Sequence, residues 1–361
     1  MAIDEPLETL SVRRLNRALL ARQHLLEPAA AGTPLTQVIE DVGGLQTQYA
    51  PSAYYSLFTR MASFERADLT RAMEARQVIH GTLMRATIHS VSARDYWPIV
   101  AGIRRARQEW IKRVSGGRVE DVDFAAAGDA LRDVLREGPL SARDVTRLMA
   151  ERGFPRESVG RGSMWADIVR IPPSGTWERR ANDLYELAEH WLPPETQPGG
   201  MPDEADGIKL LLGRYLRAFG PARVADFANW AGLPPPSAAL AARGMLLLRF
   251  RDEARRVLVD LPDAPLPPED TPAPVRFLPV WDATLLVHAR ATQILPEAYR
   301  PLIFNTRTPQ SVPCFIVDGQ VAGTWRYDSG AVVTDAFTAL PASLRRAVDA
   351  EAARLTQFHT T

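Results

Sequence analysis

Gln46 and Gln48 stand one residue apart within GGLQTQYAPSAYYSLFTR, residues 43–60. Alternate residues of an extended segment point the same way, so both amides can serve one space from a short linker. An amide accepts through oxygen and donates through nitrogen, yet is a poor general base. Two of them hold a water in place without supplying a charge. Taken alone, a Gln-Thr-Gln triplet is also ordinary loop polarity, and the surrounding chain must decide.

Positioning such a pair needs a stop before it and a rigid element after it. Thr33 is a good N-cap and Pro34 suits a first helical turn. Leu35, Val38, Ile39 and Val42 then share one helical face, and Gly43-Gly44 ends the helix. Pro51 and Ser52 open a second helix carrying Tyr54, Tyr55, Leu57, Phe58 and Met61, with Tyr54 and Tyr55 spaced for core packing. A helix over 65–76 and the β-branched ribbon VIHGTLMRATIHSV (78–91) follow. Three helices and a hairpin are the recipe of a winged helix. A long helix after Ser92 carries an Arg-rich segment.

The pattern recurs. A helix over 129–137 ends in Gly138-Pro139 before LSARDVTRLMAERG, and one over 210–219 ends in Gly220-Pro221 before ARVADFANWAG. Aligned on Gly-Pro, Asp144 matches Asp226, Val145 matches Phe227 and Leu148 matches Trp230. Apolar ribbons follow both copies, and Gly32-Thr33-Pro34 heads a looser third. Pro-rich linkers at 193–202 and 262–274 mark boundaries. The expected architecture is mainly α with β: three tandem winged-helix units (1–120, 121–197, 203–266) and a small, barrel-like β-rich domain with a final helix (273–361). Strands are expected in LPVWDATLLVHAR, with His288 and Arg290 on one face, and a hairpin turn at Asp318-Gly319.

Composition excludes more than it selects. The 361 residues carry 43 basic and 43 acidic side chains and one cysteine, Cys314. No internal disulfide is possible, and the six histidines form no close metal pair. Neither a P-loop, a G-x-G-x-x-G opening a helix, nor a G-x-S-x-G elbow occurs. The start lacks a secretory signal and no apolar run is long enough for a membrane span. A cytoplasmic protein without metal or cofactor is expected. The charge is unevenly spread: eight basic residues, Arg118 among them, face three acidic ones between His80 and Glu120. Only Lys112 and Lys209 are lysines. Arginine suits bidentate phosphate contacts.

GGLQTQYAPSAYYSLFTR, TLMRATIHSVSARDY, LPVWDATLLVHAR and VDGQVAGTWR, in that order, resemble the AlkZ-like, azinomycin-resistance-type DNA glycosylases of a bacterial tandem winged-helix superfamily. The resemblance covers about Leu10 to Tyr327. It implies monofunctional excision of bulky N-alkylated purines, with unhooking of interstrand crosslinks, either in DNA repair or in self-resistance to a DNA-alkylating natural product. It also implies a Gln–hydrophobic–Gln catalytic motif. Gln46 and Gln48 match its glutamines, while Thr47 departs from the hydrophobic middle residue. A purine alkylated at N7 is cationic and leaves without an acid, so positioned dipoles and a water suffice.

The expected catalytic residues are therefore Gln46 and Gln48. Tyr49, Arg85, Arg104, Arg105, Arg107, His288, Arg290 and Arg326 are the expected DNA contacts. The partner is duplex DNA with alkylated purines, met by a monomer at the nucleoid. A non-catalytic winged-helix DNA-binding protein or regulator is the alternative, and a small-molecule-sequestering protein a third.

Overall fold

The computed structural model describes residues 7–115, 123–196, 200–304 and 311–360, so Arg118 and Glu120 lie outside the described residues, as do 197–199 of the first linker. β1 (Thr9–Leu10) leads into α1 (Val12–Arg22), whose first turn is capped by the Ser11 hydroxyl accepting from the Arg14 N–H. α2 (Leu35–Asp41) ends where Gly43 and Gly44, at φ 78° and 85°, turn left-handed. A β-carbon on Gly44 would also press on Val91 Cγ1 at 3.1 Å. The turn drops the chain into β2 (Leu45–Gln46), followed by α3 (Pro51–Arg60), α4 (Arg66–Glu74), β3 (Val78–Thr82), β4 (Ile88–Ser92) and α5 (Ala93–Ser115).

A second unit runs α6 (Phe124–Val134), β5 (Leu140–Ser141), α7 (Ala142–Glu151), α8 (Arg156–Ala166), β6 (Ile168–Arg170), β7 (Leu184–Leu187) and the short α9 (Ala188–Trp191). A third runs α10 (Glu204–Phe219), α11 (Val224–Ala231), α12 (Pro235–Arg243), β8 (Leu248–Asp252) and β9 (Val257–Asp260). Asp144 and Asp226 each sit third in their helices and belong to the start caps, while Val145 and Phe227 are fully buried. The Gly-Pro alignment thus pairs equivalent positions.

Strand order repeats as well. β4 lies between β2 and β3, β7 between β6 and β5, and β9 between β8 and the bridging residue Ala222. Pairing of β3 with β6 joins the first two units in one six-stranded sheet, β2-β4-β3-β6-β7-β5. β1 crosses the chain to lie parallel to β8.

The C-terminal part differs from the expected barrel. β10 (Arg276–Leu278), α13 (Arg300–Ile303), β11 (Cys314–Val317), β12 (Gln320–Asp328), β13 (Ala331–Ala336) and α14 (Ala342–Thr360) follow in order. The strands form an open antiparallel meander, β10-β11-β12-β13, and among the described residues no pairing closes it. Asp318 and Gly319, both at positive φ, make the expected two-residue hairpin turn. LPVWDATLLVHAR is a strand only to Leu278. Pro279 stops the ladder, Trp281 turns left-handed at φ 64°, and Asp282 caps a 3-10 turn through the Thr284 N–H. His288 and Arg290 therefore sit on a 3-10 segment, not a strand.

Every residue of α3 is buried, the polar Ser52, Ser56, Thr59 and Arg60 included. It packs between the β6–β7 connection of the second unit and the C-terminal sheet, the Tyr55 ring lying 5.3 Å from both Trp177 and Trp325. Burial of each such ring is worth about 2 kcal/mol. Tyr54 and Tyr55 are core, as their spacing predicts. Among the described residues, no helix is long and apolar enough to cross a membrane, and no group of three His, Cys, Asp or Glu is placed to hold a metal.

Candidate active site

β2 is an edge strand, with Gln46 opposite His89 and Leu45 opposite Ser90 on β4. Burial does not alternate here: Leu45, Gln46 and Thr47 are all buried and Gln48 is exposed, so the two glutamines differ in exposure. The Thr47 N–H donates to the Ile88 carbonyl at 2.8 Å, and its hydroxyl accepts from Ser90 Oγ at 3.4 Å. That partner lets a threonine occupy a dry position. Gln46 Oε1 accepts from Arg85 Nη2 at 3.0 Å, and Gln48 Oε1 accepts from the Ile88 N–H at 3.3 Å. A guanidinium and a peptide N–H only donate. The atoms turned toward them are therefore the amide oxygens, each keeping a second lone pair.

Arg85 sits with Ala86 at the tip of the β3–β4 hairpin, both left-handed at φ 54° and 55°. Its guanidinium also donates to the Trp230 carbonyl at the end of α11, where a helix favours a cation. Gly232, at φ 74°, turns that helix end, and a β-carbon there would lie 3.3 Å from the Arg85 nitrogen. Burial pulls Arg85 down to about 10, so it stays charged at neutral pH. Its neighbours His89 and His288 are held neutral, each near 3, by burial and then by the Arg85 charge.

Beside Gln46 lies a crevice walled by α3 and by Pro279–Ala283. Its free space is about 10 Å³, the room of one water molecule. At its back, Arg60 and Asp282 pair at 2.9 Å with both side chains at most 2% exposed. Gln23 Oε1 and Ser56 Oγ also accept from Arg60, while Thr284 donates to Asp282. A carboxylate thus faces the glutamine crevice with its charge already balanced. Asp282→Asn leaves a buried guanidinium unpaired and should cost about 3–5 kcal/mol. Denaturant melts of Asp282→Asn and of Arg60→Met/Asp282→Leu check this: the double variant should recover part of the loss, and a single variant as stable as the parent would refute it.

A protein-family model, DNA glycosylase AlkZ-like, matches residues 39–358. The chain belongs to the AlkZ-like DNA glycosylase family. An "Interstrand DNA cross-link repair glycosylase" of Streptomyces sahachiroi is 22% identical over 356 residues, spanning 92% of this chain and 93% of that protein. The solved structure of Streptomyces sahachiroi DNA glycosylase AlkZ shares the fold, with TM-score 0.78, 20% identity and coverage of 97% of both chains.

Placed on this AlkZ-like fold, the arginines expected to meet DNA divide. Arg107 is buried, donating to the Thr82 carbonyl, and Arg104 pairs with Asp167 at 2.7 Å. Both fasten α5 to neighbouring elements. Arg105 is exposed but paired with Glu204, and exposed Arg290 lies 3.6 Å from Glu297. Arg326 is exposed on β12, 3.7 Å from Asp328. Arg85 and His288, distant in sequence, line one pocket.

Tyr49 joins a cluster that the sequence reading missed. Its hydroxyl accepts from Arg180 Nη1 at 3.3 Å, and the Arg180 and Arg66 guanidiniums lie over the Trp177 ring. His359 bonds the Tyr55 hydroxyl at 3.0 Å and stacks on Tyr327 at 3.7 Å, next to Arg326. Among the described residues, neither Arg66 nor Arg180 has a carboxylate within 4.0 Å. The signal available was aromatic residues beside arginine in Thr176–Arg180 and Trp325–Tyr327. Arg60 and Asp282 were present in the motif stretches, but nothing local says that they meet.

Proposed function

We propose that this protein is a monofunctional, metal-independent DNA glycosylase that hydrolyses the N-glycosidic bond of cationic N7-alkylated purines, interstrand crosslinks included. It acts as a monomer on double-stranded DNA in the cytoplasm. The observation that carries this reading is the pair of Gln46 and Gln48 oxygens, each fixed by a donor, with Gln46 bordering a crevice that has room for one water. The remaining lone pairs accept the water's protons and face the positive charge growing on the sugar. No acid is needed, because the alkylated base leaves as a neutral purine. Two amides are too weak to expel an unmodified base, and that weakness is the selectivity. The three units sharing one strand order are read as tandem winged helices, divided near 120, 200 and 270.

The same geometry suits a lesion that stays in the duplex. Gln46 and Gln48 lie on an edge strand and its exit, and of the tyrosines that could line a stacking pocket, Tyr54 and Tyr55 are core while Tyr49 is half-buried. An ordinary glycosylase flips its base into a snug pocket, which a crosslinked base cannot enter. Release of a bulky N7-guanine adduct should therefore be at least as fast as release of 7-methylguanine from the same duplex. Methyl release without bulky release would show a size-limited pocket, and release of neither would leave only a DNA-binding protein.

DNA contact is assigned to the surface running from Tyr49 and Arg180 to Arg326. Affinity should fall with salt as counterions are released, and Arg326→Ala and Arg180→Ala should each flatten the log–log slope by about one unit. A salt series on undamaged duplex measures it; binding indifferent to ionic strength rejects the surface.

A further inference from the structure

Behind the Gln46–Arg85 bond opens a pocket of about 300 Å³, bordered by Arg85, Asn229, His288 and Arg300, with Trp230 and Phe304 among its apolar walls. Among the described residues, no carboxylate lines it. Glu297 holds Arg300 from outside at 2.9 Å and lies 3.6 Å from Arg290. Arg85 has no carboxylate within 4.0 Å among the described residues, and only two of its N–H groups find acceptors. A guanidinium carries five. Positive charge is therefore in excess around this cavity.

His288 is packed beneath the pocket wall and can report on what binds there. It is 5% exposed, its ring standing edge-on to Phe219 at 4.6 Å, and neither ring nitrogen is in hydrogen-bond geometry with any group. The Ala283 carbonyl is near enough to favour the protonated ring but outside that geometry. A buried polar group without a partner is costly. A neutral imidazole still offers one N–H. The Asn229 amide adds donors from the exposed rim. Donors from Arg85 and Asn229, surplus positive charge and an apolar wall describe a seat for an oxyanion attached to a small carbon skeleton.

We propose that this pocket seats a backbone phosphate of the DNA strand, beside the sugar that Gln46 and Gln48 address, with Arg85 and Asn229 as its donors and the deoxyribose against Phe304. The proposal rests on the glycosylase reading above. Arg85 would then touch the phosphate on one side and Gln46 on the other, so that strand engagement and the placement of the amide are read by a single side chain.

Asn229→Asp puts a carboxylate at the rim, and Arg300→Gln removes a charge from the wall. Each is compared with the parent for undamaged-duplex binding across a salt series, after thermal melting shows that it folds. Asn229→Asp should weaken binding about tenfold, and each variant should flatten the salt slope by about one unit. In parallel, the His288 imidazole ¹H–¹⁵N signals should move when duplex is added. Folded variants with parental affinity and slope overturn the proposal. Inorganic phosphate that saturates the His288 response and is not displaced by duplex would assign the site to a free anion, overturning the DNA assignment. Gln46→Ala separates the two readings: normal base release by that variant defeats the catalytic role while leaving the slope result to judge the pocket.

Discussion

Single-turnover base release by Gln46→Ala, and separately by Gln48→Ala, should fall by about 10² to 10³ at saturating enzyme, while duplex affinity stays near that of the parent. Each oxygen is held by a donor-only partner, Arg85 for Gln46 and the Ile88 peptide for Gln48. Each is thus already oriented before substrate arrives, and preorganised dipoles contribute most where they need not reorient. Removing one should cost roughly 3–4 kcal/mol of transition-state stabilisation. Gln46→Glu is the informative companion. A carboxylate beside Arg85 would keep the contact yet add a charge, so release of 7-methylguanine should survive better than in Gln46→Ala. Unchanged rates in both alanine variants would remove the pair from the chemistry.

Acid should destabilise the fold from about pH 6.5 downward, because three histidines are buried in neutral form. His80, His89 and His288 are 1%, 3% and 5% exposed. Burial, reinforced by Arg170 for His80 and by Arg85 for the others, holds them near 4, 3 and 3. The unfolded chain takes up protons at an ordinary value of about 6.5. Below that pH the unfolded state binds more protons than the folded one, so stability is full above it and lost as pH falls toward 4. At pH 5 each residue costs about 2 kcal/mol, roughly 6 together. That is comparable with the whole stability of a typical domain. Urea midpoints measured from pH 7.5 to 5 should drop steeply below 6.5, and a flat profile would falsify the neutral, buried assignment.

What the sequence made legible was local. Gly43-Gly44, Pro51 and Asp318-Gly319 each act through backbone conformation within a few residues, and the helices and hairpins they delimit stand where expected. The glutamine pair stood out by its two-residue spacing, but spacing did not tell that Gln46 is buried and Gln48 exposed. Contacts across hundreds of residues were not. Arg107 and Arg104 looked like a basic face because Asp167 and Thr82 are remote in sequence. Arg60 and Asp282 meet across 222 residues. The C-terminal strands showed the right alternation, but alternation fixes which face is buried and says nothing about whether a sheet closes. A proline and a left-handed tryptophan then ended β10 early, moving His288 from a strand into the wall of a pocket.

The six-stranded sheet has a consequence for solubility. A row of unpaired backbone groups along a sheet margin invites another chain to add itself. Were the first two units separate, β3 and β6 would each present such a margin; instead they cover one another through His80↔Arg170 and Gly81↔Val169. The strands left outermost, β2 and β5, are only two residues long, too short to template an intruder. A fragment cut between β4 and β6 would uncover β3, and self-association would compete with folding in either piece. The strand bearing Gln46 can therefore form the rim of a large sheet without making that rim adhesive.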